Sequence, residues 1–322
     1  MDITVPAECT GQRLDQFLVK VSGLSRSQIT QRIRAGDVHV DGLPAKKAGQ
    51  RVTGGAKLAL VIPPGPSSVA IPESIPLDVV YEDAHLIVVN KSPDMVVHPS
   101  PGHESGTLVN ALLGRYEALA PDLGTEDGRP RPGIVHRLDR GTSGLLVVAR
   151  DVQARDGLSA QIAARSVGRR YLAIIHGPKL ADEGTFDTLH GRHPRDRKRF
   201  TSRVREGRRA VTHWKVLARA RTVALVECRL ETGRTHQIRV HFADDGHPLV
   251  GDTAYAGRRR APGSEGAALK MLARQALHAW ALRFEHPVTG EDLQLHVDPP
   301  SDMRGAIEAV FGKDCLSFEA RS

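Results

Sequence analysis

Cysteine is scarce in this chain of 322 residues, which contains only Cys9, Cys228 and Cys315. An odd number of widely separated cysteines does not match the pattern of a disulfide framework or of a paired-cysteine zinc site. Proteins without such frameworks are typical of reducing compartments. The cysteine content therefore predicts a cytoplasmic protein without structural disulfides.

Aromatic residues and long apolar runs are also rare. Phe, Trp and Tyr make up 4% of the chain, which is too little for broad platforms on which bases stack. The most apolar stretches, such as residues 86–89 and 145–148, have the length of a strand and not of a membrane span. The first residues lack the basic and apolar segments of a secretory signal. We expect no membrane partner.

Motifs for common cofactors and metals are missing as well. The chain has no Gly-x-x-x-x-Gly-Lys phosphate loop, no Gly-x-Gly-x-x-Gly motif and no Gly-x-Ser-x-Gly motif. Its 15 histidines are scattered, and His236 and His241 are five residues apart, a poor spacing for two ligands on one helical face. We expect no cofactor and no metal, and we interpret the histidines as structural.

Positive charge is what the sequence has in excess. The formal net charge is +8 and the pI is about 9.7. Residues 192–209, hereafter the basic loop, contain nine Lys or Arg and two acidic residues. Concentrated positive charge suits contacts to phosphate groups, which provide affinity independent of base sequence. The charge favours a nucleic acid as partner, and a solvated basic surface is the alternative.

The chain divides into a small and a large part. Apolar residues recur at helical spacing from Leu14 to Val21, a second helix ends near Gly36, and the turn dipeptide Asp41-Gly42 follows a short alternating strand. Five prolines between residues 63 and 76 predict an extended, semi-rigid linker. We therefore predict an α+β module at 1–62, a linker at 63–76 and a larger domain at 77–322.

The larger domain mixes strands and helices without regular alternation. Strands are predicted at residues 85–90, 134–135, 145–149, 171–175, 211–218, 223–230, 277–284 and 293–297. Helices are predicted at residues 107–116, 151–166, 235–243 and 302–311. Because strands outnumber helices and do not alternate with them, the pattern favours an α+β fold with a mixed, mainly antiparallel sheet over a doubly wound parallel sheet.

One segment suggests chemistry more than the others: His136-Arg137-Leu138-Asp139-Arg140-Gly141-Thr142-Ser143-Gly144. Asp139 stands in a loop with basic neighbours, and the glycines allow unusual backbone angles and the close approach of a ligand. On the residues alone, two interpretations stay open. Asp139 is a reactive carboxylate, or it caps the backbone of a structural turn, as is common in loops that contain Asp and Gly.

Two further segments hold residues that suit a reaction. In residues 231–241, Thr235 is a candidate N-cap of a helix, and an arginine of this segment can pair with Asp139 and keep it ionised. The alternative is a basic helix whose arginines are solvated. Tyr171, at the start of a predicted strand, is either a core or edge aromatic or a residue that stacks on a base.

Taken together, these motifs resemble those of the large-subunit ribosomal pseudouridine synthase family. The resemblance rests on His136-Arg137-Leu138-Asp139 with Thr142-Ser143-Gly144, on residues 232–241, and on Tyr171. Further matches are Val89-Asn90-Lys91, Val97-His98-Pro99, residues 247–252 and residues 275–279. Residues 1–62, with Arg13-Leu14-Asp15 and Ser25-Arg26-Ser27, resemble an S4 RNA-binding domain. The matches follow the order of the family over almost the whole chain.

The resemblance implies a cofactor-free enzyme that isomerises uridines of large-subunit ribosomal RNA to pseudouridine. It implies that Asp139 is the nucleophile, attacking ribose C1′ or pyrimidine C6, and that Arg239 is its ion-pair partner. It also implies that Tyr171 packs on the uracil, with help in removing the proton from C5 as a further expected role. Arg137 is expected to occupy the space of the flipped nucleotide. Position 141 is Gly where the family often has an acidic residue, and we expect this difference to alter loop charge and not activity.

RNA contacts are expected from cations in both parts of the chain. In the S4-like module these are Arg26, Arg32 and Arg34; in the larger domain they are Arg192, Arg197, Lys198 and Arg199 of the basic loop, and Arg234. The expected partner is large-subunit ribosomal RNA or the assembling large subunit, bound by a monomer. A transfer-RNA pseudouridine synthase and a non-catalytic RNA-binding assembly factor are the alternatives. A hydrolase with paired carboxylates is disfavoured, because the motif holds one carboxylate.

Overall fold

The structure of the protein, a computed structural model, describes residues 1–22, 24, 26–61, 70–100, 102–116, 119, 132–196, 198–257 and 259–316. These residues form two compact units, the first ending at Val61 and the second starting at Ala70. Among the helices of these residues, none combines the length and the apolar character that crossing a membrane requires.

The first unit is a four-stranded antiparallel sheet with two helices. Its elements are β1 (Asp2–Thr4), α1 (Leu14–Ser22), α2 (Arg26–Ala35), β2 (Val38–Val40), β3 (Leu43–Pro44) and β4 (Lys57–Leu60). The strand order is β1-β4-β2-β3. Leu14, Leu18 and Ile29 are fully buried with the inner side of the sheet, because helical spacing places the apolar residues of each helix on one face. The turn after β2 has φ of 50° at Asp41 and 81° at Gly42, as expected for this dipeptide in a tight hairpin.

The second unit is built around one ten-stranded sheet. Its strands are β5 (Val79–Glu82), β6 (Leu86–Lys91), β7 (Ser143–Ala149), β8 (Gly168–His176), β9 (Glu183–Arg192), β10 (Phe200–Thr201), β11 (Arg208–Arg219), β12 (Val223–Leu230), β13 (Leu277–Glu285) and β14 (Asp292–His296). They lie in the order β10-β9-β11-β12-β8-β13-β7-β6-β5, and β14 pairs with β13. In the described part of the chain, β13 and β7 are parallel and the other pairs are antiparallel. The predicted α+β fold class with a mixed, mainly antiparallel sheet is confirmed.

Helices pack on both faces of this sheet. They are α3 (Leu108–Arg115), α4 (Val152–Ala164), α5 (Gln237–Asp244), α6 (Gly263–Leu269) and α7 (Ser301–Phe311). Strand β8 shows the arrangement, because successive side chains of a strand point to opposite faces. Tyr171 and Ala173 share a core with α3 and α5, whereas Leu172 and Ile174 share another core with α6 and α7. Tyr171 therefore lies on the face that carries α5.

Four elements of the second unit escaped the sequence analysis: β5, β9, β10 and α6. Strand β9 is exposed or half-buried over most of its length, so it lacks the apolar alternation by which strands are recognised. Helix α6 is short and contains Gly263 and Gly266. The strand predicted at residues 134–135 was wrong, since the structure has only an isolated bridge between Ile134 and Val148.

The proline-rich segment lies at the border of the two units. Residues 62–69 of this segment lie outside the described residues. Farther along, Glu73 N donates to Asn110 O at 2.9 Å and Asn110 Nδ2 donates to Ile71 O at 2.8 Å. The end of the segment is thus tied to α3 of the second unit, and the domain borders at 62 and 77 stay predictions.

Candidate active site

Asp139 lies in the loop that precedes β7. Its neighbour Leu138 is buried in the same core as Tyr171 and anchors the loop from below. Gly141 N donates to Pro93 O at 2.7 Å. Arg274 Nη1 donates to Gly141 O at 2.8 Å. The loop is therefore held on two sides, while the Asp139 side chain keeps 16% of its surface exposed.

The backbone geometry at position 141 explains why glycine stands there. Its φ is +82°, and a Cβ atom there would lie 2.6 Å from Oε1 of Gln275. The Gln275 side chain is fixed, because Nε2 donates to Arg140 O at 2.7 Å and to Thr142 Oγ1 at 3.1 Å. Glycine adopts this left-handed backbone at no steric cost. The departure at position 141 thus concerns backbone conformation and packing on Gln275 as well as the expected loop charge.

Arg239 of α5 connects Asp139 to a second carboxylate. Its Nη1 donates to Asp139 Oδ2 at 3.2 Å, while Nε and Nη2 donate to Asp252 at 2.7 and 2.9 Å. The Asp252 side chain is fully buried and that of Arg239 is 8% exposed. Burial alone would lower the pKa of Arg239, but the hydrogen bonds and charges of Asp252 and then Asp139 raise it above its ordinary value. The guanidinium is a fixed cation, and the structure brings Asp139 and Arg239 together.

Asp252 is a residue of the candidate site that the sequence analysis did not single out. It binds Arg239 with both oxygens, which fixes the plane of the guanidinium. Its Oδ1 also accepts hydrogen bonds from the backbone N of Ala254 at 3.0 Å and of Tyr255 at 3.2 Å. The signal was present in residues 247–252, which resemble the family. Only the fold shows that the last residue of this segment meets Arg239.

Tyr171 is 6% exposed and pairs with Cys228 across strands β8 and β12. Burial raises the pKa of Tyr171; the Arg169 charge opposes this rise and the Asp139 charge adds to it. Tyr171 is therefore a neutral phenol near neutral pH, and its pKa responds to the negative charge of Asp139.

Lys91 is a second residue that the sequence analysis left without a role. It ends β6 and is 2% exposed. Its Nζ donates to Ser92 O at 2.6 Å and to Met95 O at 2.8 Å. Burial lowers the pKa of Lys91 to about 7, although the Asp139 charge opposes this. Besides the Arg239 guanidinium, the Lys91 amine is thus a second basic group in the electrostatic surroundings of Asp139.

His136 has a structural place in the same segment. Val147 N donates to its Nε2 at 3.1 Å. Burial, and then the Arg169 charge, lowers the pKa of His136 to about 3, so the ring stays neutral. Within the described residues, no group of three His, Cys, Asp or Glu side chains is arranged to hold a metal ion.

The start of α5 differs from the prediction. Thr235 was predicted as the N-cap, but the N-cap is His236, whose backbone is left-handed with φ 60° and ψ 20° and which makes no capping hydrogen bond through its side chain. The prediction was wrong because nothing in the sequence signals a left-handed histidine. This conformation places His236 Nε2 at 3.9 Å from Asp139 Oδ2.

The cations predicted to contact RNA in the second unit differ in exposure. Arg137, Arg192 and Lys198 are exposed, and Arg199 and Arg234 are half-buried. Arg137 Nη1 lies 3.4 Å from His98 Nε2, and Arg234 Nε donates to Arg209 O at 3.2 Å. Arg197 lies outside the described residues.

Aromatic rings hold two arginines of the basic loop. The Arg192 guanidinium lies 4.6 Å from the centre of the Phe200 ring, and that of Arg199 lies 5.0 Å from the centre of the Tyr255 ring. Both distances suit cation–π attraction. The guanidinium of Arg239, which contacts Asp139, also lies 5.1 Å from the centre of the Tyr255 ring. The basic loop therefore reaches the surroundings of Asp139.

In the first unit, the three predicted RNA contacts lie on α2. Arg34 is exposed. Arg32 Nη1 donates to Asp37 at 3.2 Å. Arg26 Nε donates to Asp15 at 2.8 Å, although 58% of its side chain stays exposed. Arg26 and Arg32 are thus held at the surface by carboxylates, which the sequence analysis did not foresee.

Comparison with protein families matches residues 85–244 to a family described as RNA pseudouridylate synthase and residues 12–58 to the S4 domain. The first match contains Asp139, Tyr171 and Arg239, and the second contains α2 with its three arginines. Asp139, Tyr171 and Arg239 thus fall within one matched region and the basic helix α2 within the other, while Asp252 lies beyond the end of the first.

Similar proteins match over nearly the whole chain. One is the ribosomal large subunit pseudouridine synthase D of Xylella fastidiosa, 43% identical over 98% of this chain and 94% of that protein. The protein of the same name from Escherichia coli O6:H1 is 42% identical over 95% of this chain and 93% of its own length. The uncharacterized RNA pseudouridine synthase YlyB of Bacillus subtilis is 43% identical over 96% of this chain and 97% of its own.

A similar solved structure is that of human RNA pseudouridylate synthase domain containing 4. It has a TM-score of 0.54 and 25% identity over 72% of this chain and 92% of that chain. Human RNA pseudouridylate synthase domain containing 1 has a TM-score of 0.53 and 26% identity over 71% of this chain and 85% of that chain.

Proposed function

The chain belongs to the RNA pseudouridylate synthase family and is an RNA pseudouridine synthase, and we propose that it modifies specific uridines of large-subunit ribosomal RNA with Asp139 as nucleophile. The substrate class is supported by relatives of 42–43% identity that are named ribosomal large subunit pseudouridine synthase D. The observation that carries the nucleophile is the contact of a partly exposed Asp139 carboxylate with a buried arginine, itself fixed by Asp252.

Asp139 has the contacts that a nucleophilic carboxylate requires. Arg239 compensates its charge and orients it at 3.2 Å. The contacts of Asp139 are one-sided: among the described residues, its side-chain hydrogen bond falls on Oδ2, which is also the oxygen in the closest approaches of Arg239 and His236. Oδ1 is then the oxygen available to attack the uridine.

The reaction proceeds through a covalent bond between Asp139 and the nucleotide. In one route, Oδ1 bonds to ribose C1′ while the C1′–N1 bond breaks and its electron pair leaves with N1 of uracil. The uracil rotates, C5 bonds to C1′, and the ester to Asp139 breaks. In the other route, Oδ1 first adds to C6 of the pyrimidine and the electron pair of the C5–C6 double bond moves onto C5 and O4. The C1′–N1 bond then breaks, the base rotates on its bond to Asp139, C5 bonds to C1′, and the C6–Oδ1 bond breaks as the C5–C6 double bond is restored. Both routes end with loss of the proton from C5, and neither requires a redox cofactor.

Tyr171 packs on the uracil in this proposal. Its neutral phenol, buried against β12, offers a flat surface and not a strong base. Raising the pKa of Tyr171 disfavours the phenolate that would remove a proton from C5.

RNA binding uses charge and base extrusion. A stacked uridine must leave the helix before Asp139 can reach it, at a cost of a few kcal/mol that contacts in the site offset. The exposed Arg137, two residues from Asp139, occupies the space left by the flipped base. Phosphate contacts come from Arg192, Lys198, Arg199 and Arg234, together with Arg26, Arg32 and Arg34 of the S4 unit. The partner is large-subunit ribosomal RNA or the assembling subunit, bound by a monomer in the cytoplasm.

The test is the formation of pseudouridine in unmodified RNA. The purified protein is incubated with transcripts of large-subunit ribosomal RNA, small-subunit ribosomal RNA and transfer RNA, and pseudouridine is mapped by chemical modification and primer extension. We expect product in the large-subunit transcript. Product in transfer RNA alone would replace the proposed substrate by the alternative one.

The nucleophile is tested by Asp139→Ala and Asp139→Asn. Both variants lack a carboxylate and are expected to give no product while binding RNA with affinity close to that of the wild type. Asp292→Asn, an exposed aspartate paired with Arg283, is the matched control and should keep full activity. Product formation by either Asp139 variant would contradict the assignment.

A further inference from the structure

His236 has an unusual backbone for its residue type. Three non-glycine residues in the described chain have positive φ, and His236 at 60° is the one beside Asp139. This conformation is unfavourable for a non-glycine residue, and such residues concentrate at functional sites. The position of the His236 ring is therefore a feature to be explained by its contacts.

The contacts of the ring determine which nitrogen carries the proton. His236 Nδ1 lies 2.8 Å from Tyr255 Oη, and Tyr255 Oη accepts a hydrogen bond from Phe200 N at 3.1 Å. Among the described residues, His236 Nδ1 is the one acceptor within reach of the Tyr255 hydroxyl proton. Tyr255 therefore donates to Nδ1, and burial, which lowers the pKa of His236, keeps the ring neutral. A neutral ring that accepts at Nδ1 carries its proton at Nε2.

The protonated nitrogen faces the nucleophile. Nε2 lies 3.9 Å from Asp139 Oδ2, the same oxygen that Arg239 contacts at 3.2 Å. A distance of 3.9 Å is too long for a hydrogen bond. In enzymes without substrate, such contacts are often long and shorten when the substrate is bound.

We propose that His236 is a positioning residue for Asp139, whose Nε2–H, set by Tyr255, binds Oδ2 together with Arg239 and leaves Oδ1 to attack the uridine. This inference rests on the proposed nucleophilic role of Asp139. Tyr255 acts through His236 and not on the substrate. Since Phe200 belongs to β10 in the basic loop, these hydrogen bonds also tie that loop to His236, which lies beside Asp139.

Three variants of the full chain test this role. His236→Leu removes both ring nitrogens, whereas His236→Gln keeps an amide N–H near the position of Nε2. Tyr255→Phe removes the hydroxyl that sets the tautomer, and Tyr81→Phe, whose hydroxyl binds Asp83, is its matched control. The two His236 variants have the same unfavourable left-handed backbone, so their difference reports on the side chain.

The measurements are kcat and KM on the large-subunit transcript and the thermal unfolding midpoint. We expect His236→Leu to lower kcat about 100-fold, as for a reacting group displaced by about 1 Å, with KM unchanged. His236→Gln should recover about tenfold of this loss, the contribution of one hydrogen bond to a charged group. Tyr255→Phe should lower kcat about tenfold, while Tyr81→Phe keeps the wild-type value.

Each outcome bears on one statement. Wild-type kcat in a folded His236→Leu variant would overturn the inference, and so would equal kcat values for His236→Gln and His236→Leu. If His236→Leu fails to fold, His236→Gln within about tenfold of wild type and a slower Tyr255→Phe support it, and an unchanged Tyr255→Phe overturns it. An inactive wild-type protein would overturn the proposed function instead.

Discussion

Asp15 in the first unit and Asp252 in the second are both buried aspartates bound by arginine. Each belongs to a cluster of ion pairs, Asp15 with Arg13 and Arg26, and Asp252 with Arg239 and Asp139, and the two clusters differ in the ratio of arginines to carboxylates. Asp15 is bound by two arginines, Arg13 and Arg26, whose side chains are 42% and 58% exposed. Asp252 shares a single arginine with Asp139, and that arginine is 8% exposed. One cluster has more cations than carboxylates, and the other has more carboxylates than cations.

The difference teaches how one kind of ion pair serves two tasks. In the first unit the buried carboxylate holds exposed guanidinium groups at the surface, where their remaining donors can meet phosphates. In the second unit the buried guanidinium holds a carboxylate at the surface, where its free oxygen can meet a uridine. The buried member fixes the geometry, and in the proposed function the exposed member makes the contact with RNA.

The largest expected effect comes from Asp252→Asn. Removing one charge from the buried pair leaves Arg239 without its main partner, so Asp139 loses its orientation. We expect kcat to fall about 100-fold and the free energy of unfolding to fall by about 3 kcal/mol, measured by single-turnover assays and urea unfolding. Asp298→Asn, exposed and paired with Arg304, is the control. A folded variant with unchanged kcat would show that Asp252 does not hold the arginine for catalysis.

An intermediate effect is expected from the exposed arginines of the first cluster. Arg26→Gln removes a cation that meets phosphate in our interpretation. RNA affinity should fall, and the slope of log K against log salt should decrease by about 0.7–0.9, with kcat at saturating RNA unchanged. The salt dependence of RNA binding checks this, with Arg283→Gln on β13 as control. An unchanged slope would remove Arg26 from the RNA contact surface.

The smallest effect concerns Asp15 and pH. The hydrogen bond from Arg13, and then Arg26, lowers the pKa of Asp15 from 3.8 to about 2. A lowered pKa in the folded state means stability that is present above the ordinary value and is lost as pH falls through about 2. Because solvent screens the two arginines, Asp15→Asn should cost about 1 kcal/mol near neutral pH.

The measurement is urea unfolding of both proteins at several pH values. The difference in stability between wild type and Asp15→Asn should shrink as pH approaches 2. A difference that stays constant with pH would mean that Asp15 contributes through packing and not through its charge.

The sequence was sufficient for what depends on local patterns. The apolar spacing of α1 and the short apolar runs of β7, β8 and β12 indicate buried elements, and the fold class follows from their order. The Asp-Gly hairpin turn was predictable for the same reason. Strand β9 was not predictable from such patterns, because the strand is largely exposed and many of its side chains are polar.

The candidate site was predictable residue by residue but not as a geometry. Asp139, Tyr171 and Arg239 were named from motifs. The bidentate partner of Arg239 was not, because Asp252 reaches it only through the fold of the segment after α5. The sequence analysis placed the helix N-cap at Thr235 and did not predict the left-handed backbone of His236. Local propensity assigns such a conformation to glycine or asparagine. Long-range contacts and strained backbone are what sequence patterns do not encode.

The loop that carries Asp139 has a consequence for the time at which activity arises. Its outer supports are Arg274 and Gln275, which are 133 and 135 residues away from their partners Gly141 and Arg140. A growing polypeptide thus exposes the nucleophile long before it contains the residues that brace it. Contacts of such sequence separation also form late in folding, because loop closure is costly. A chain that ends before residue 274 would contain Asp139 without these supports, so in the proposed function RNA modification has to await the synthesis of Arg274 and Gln275.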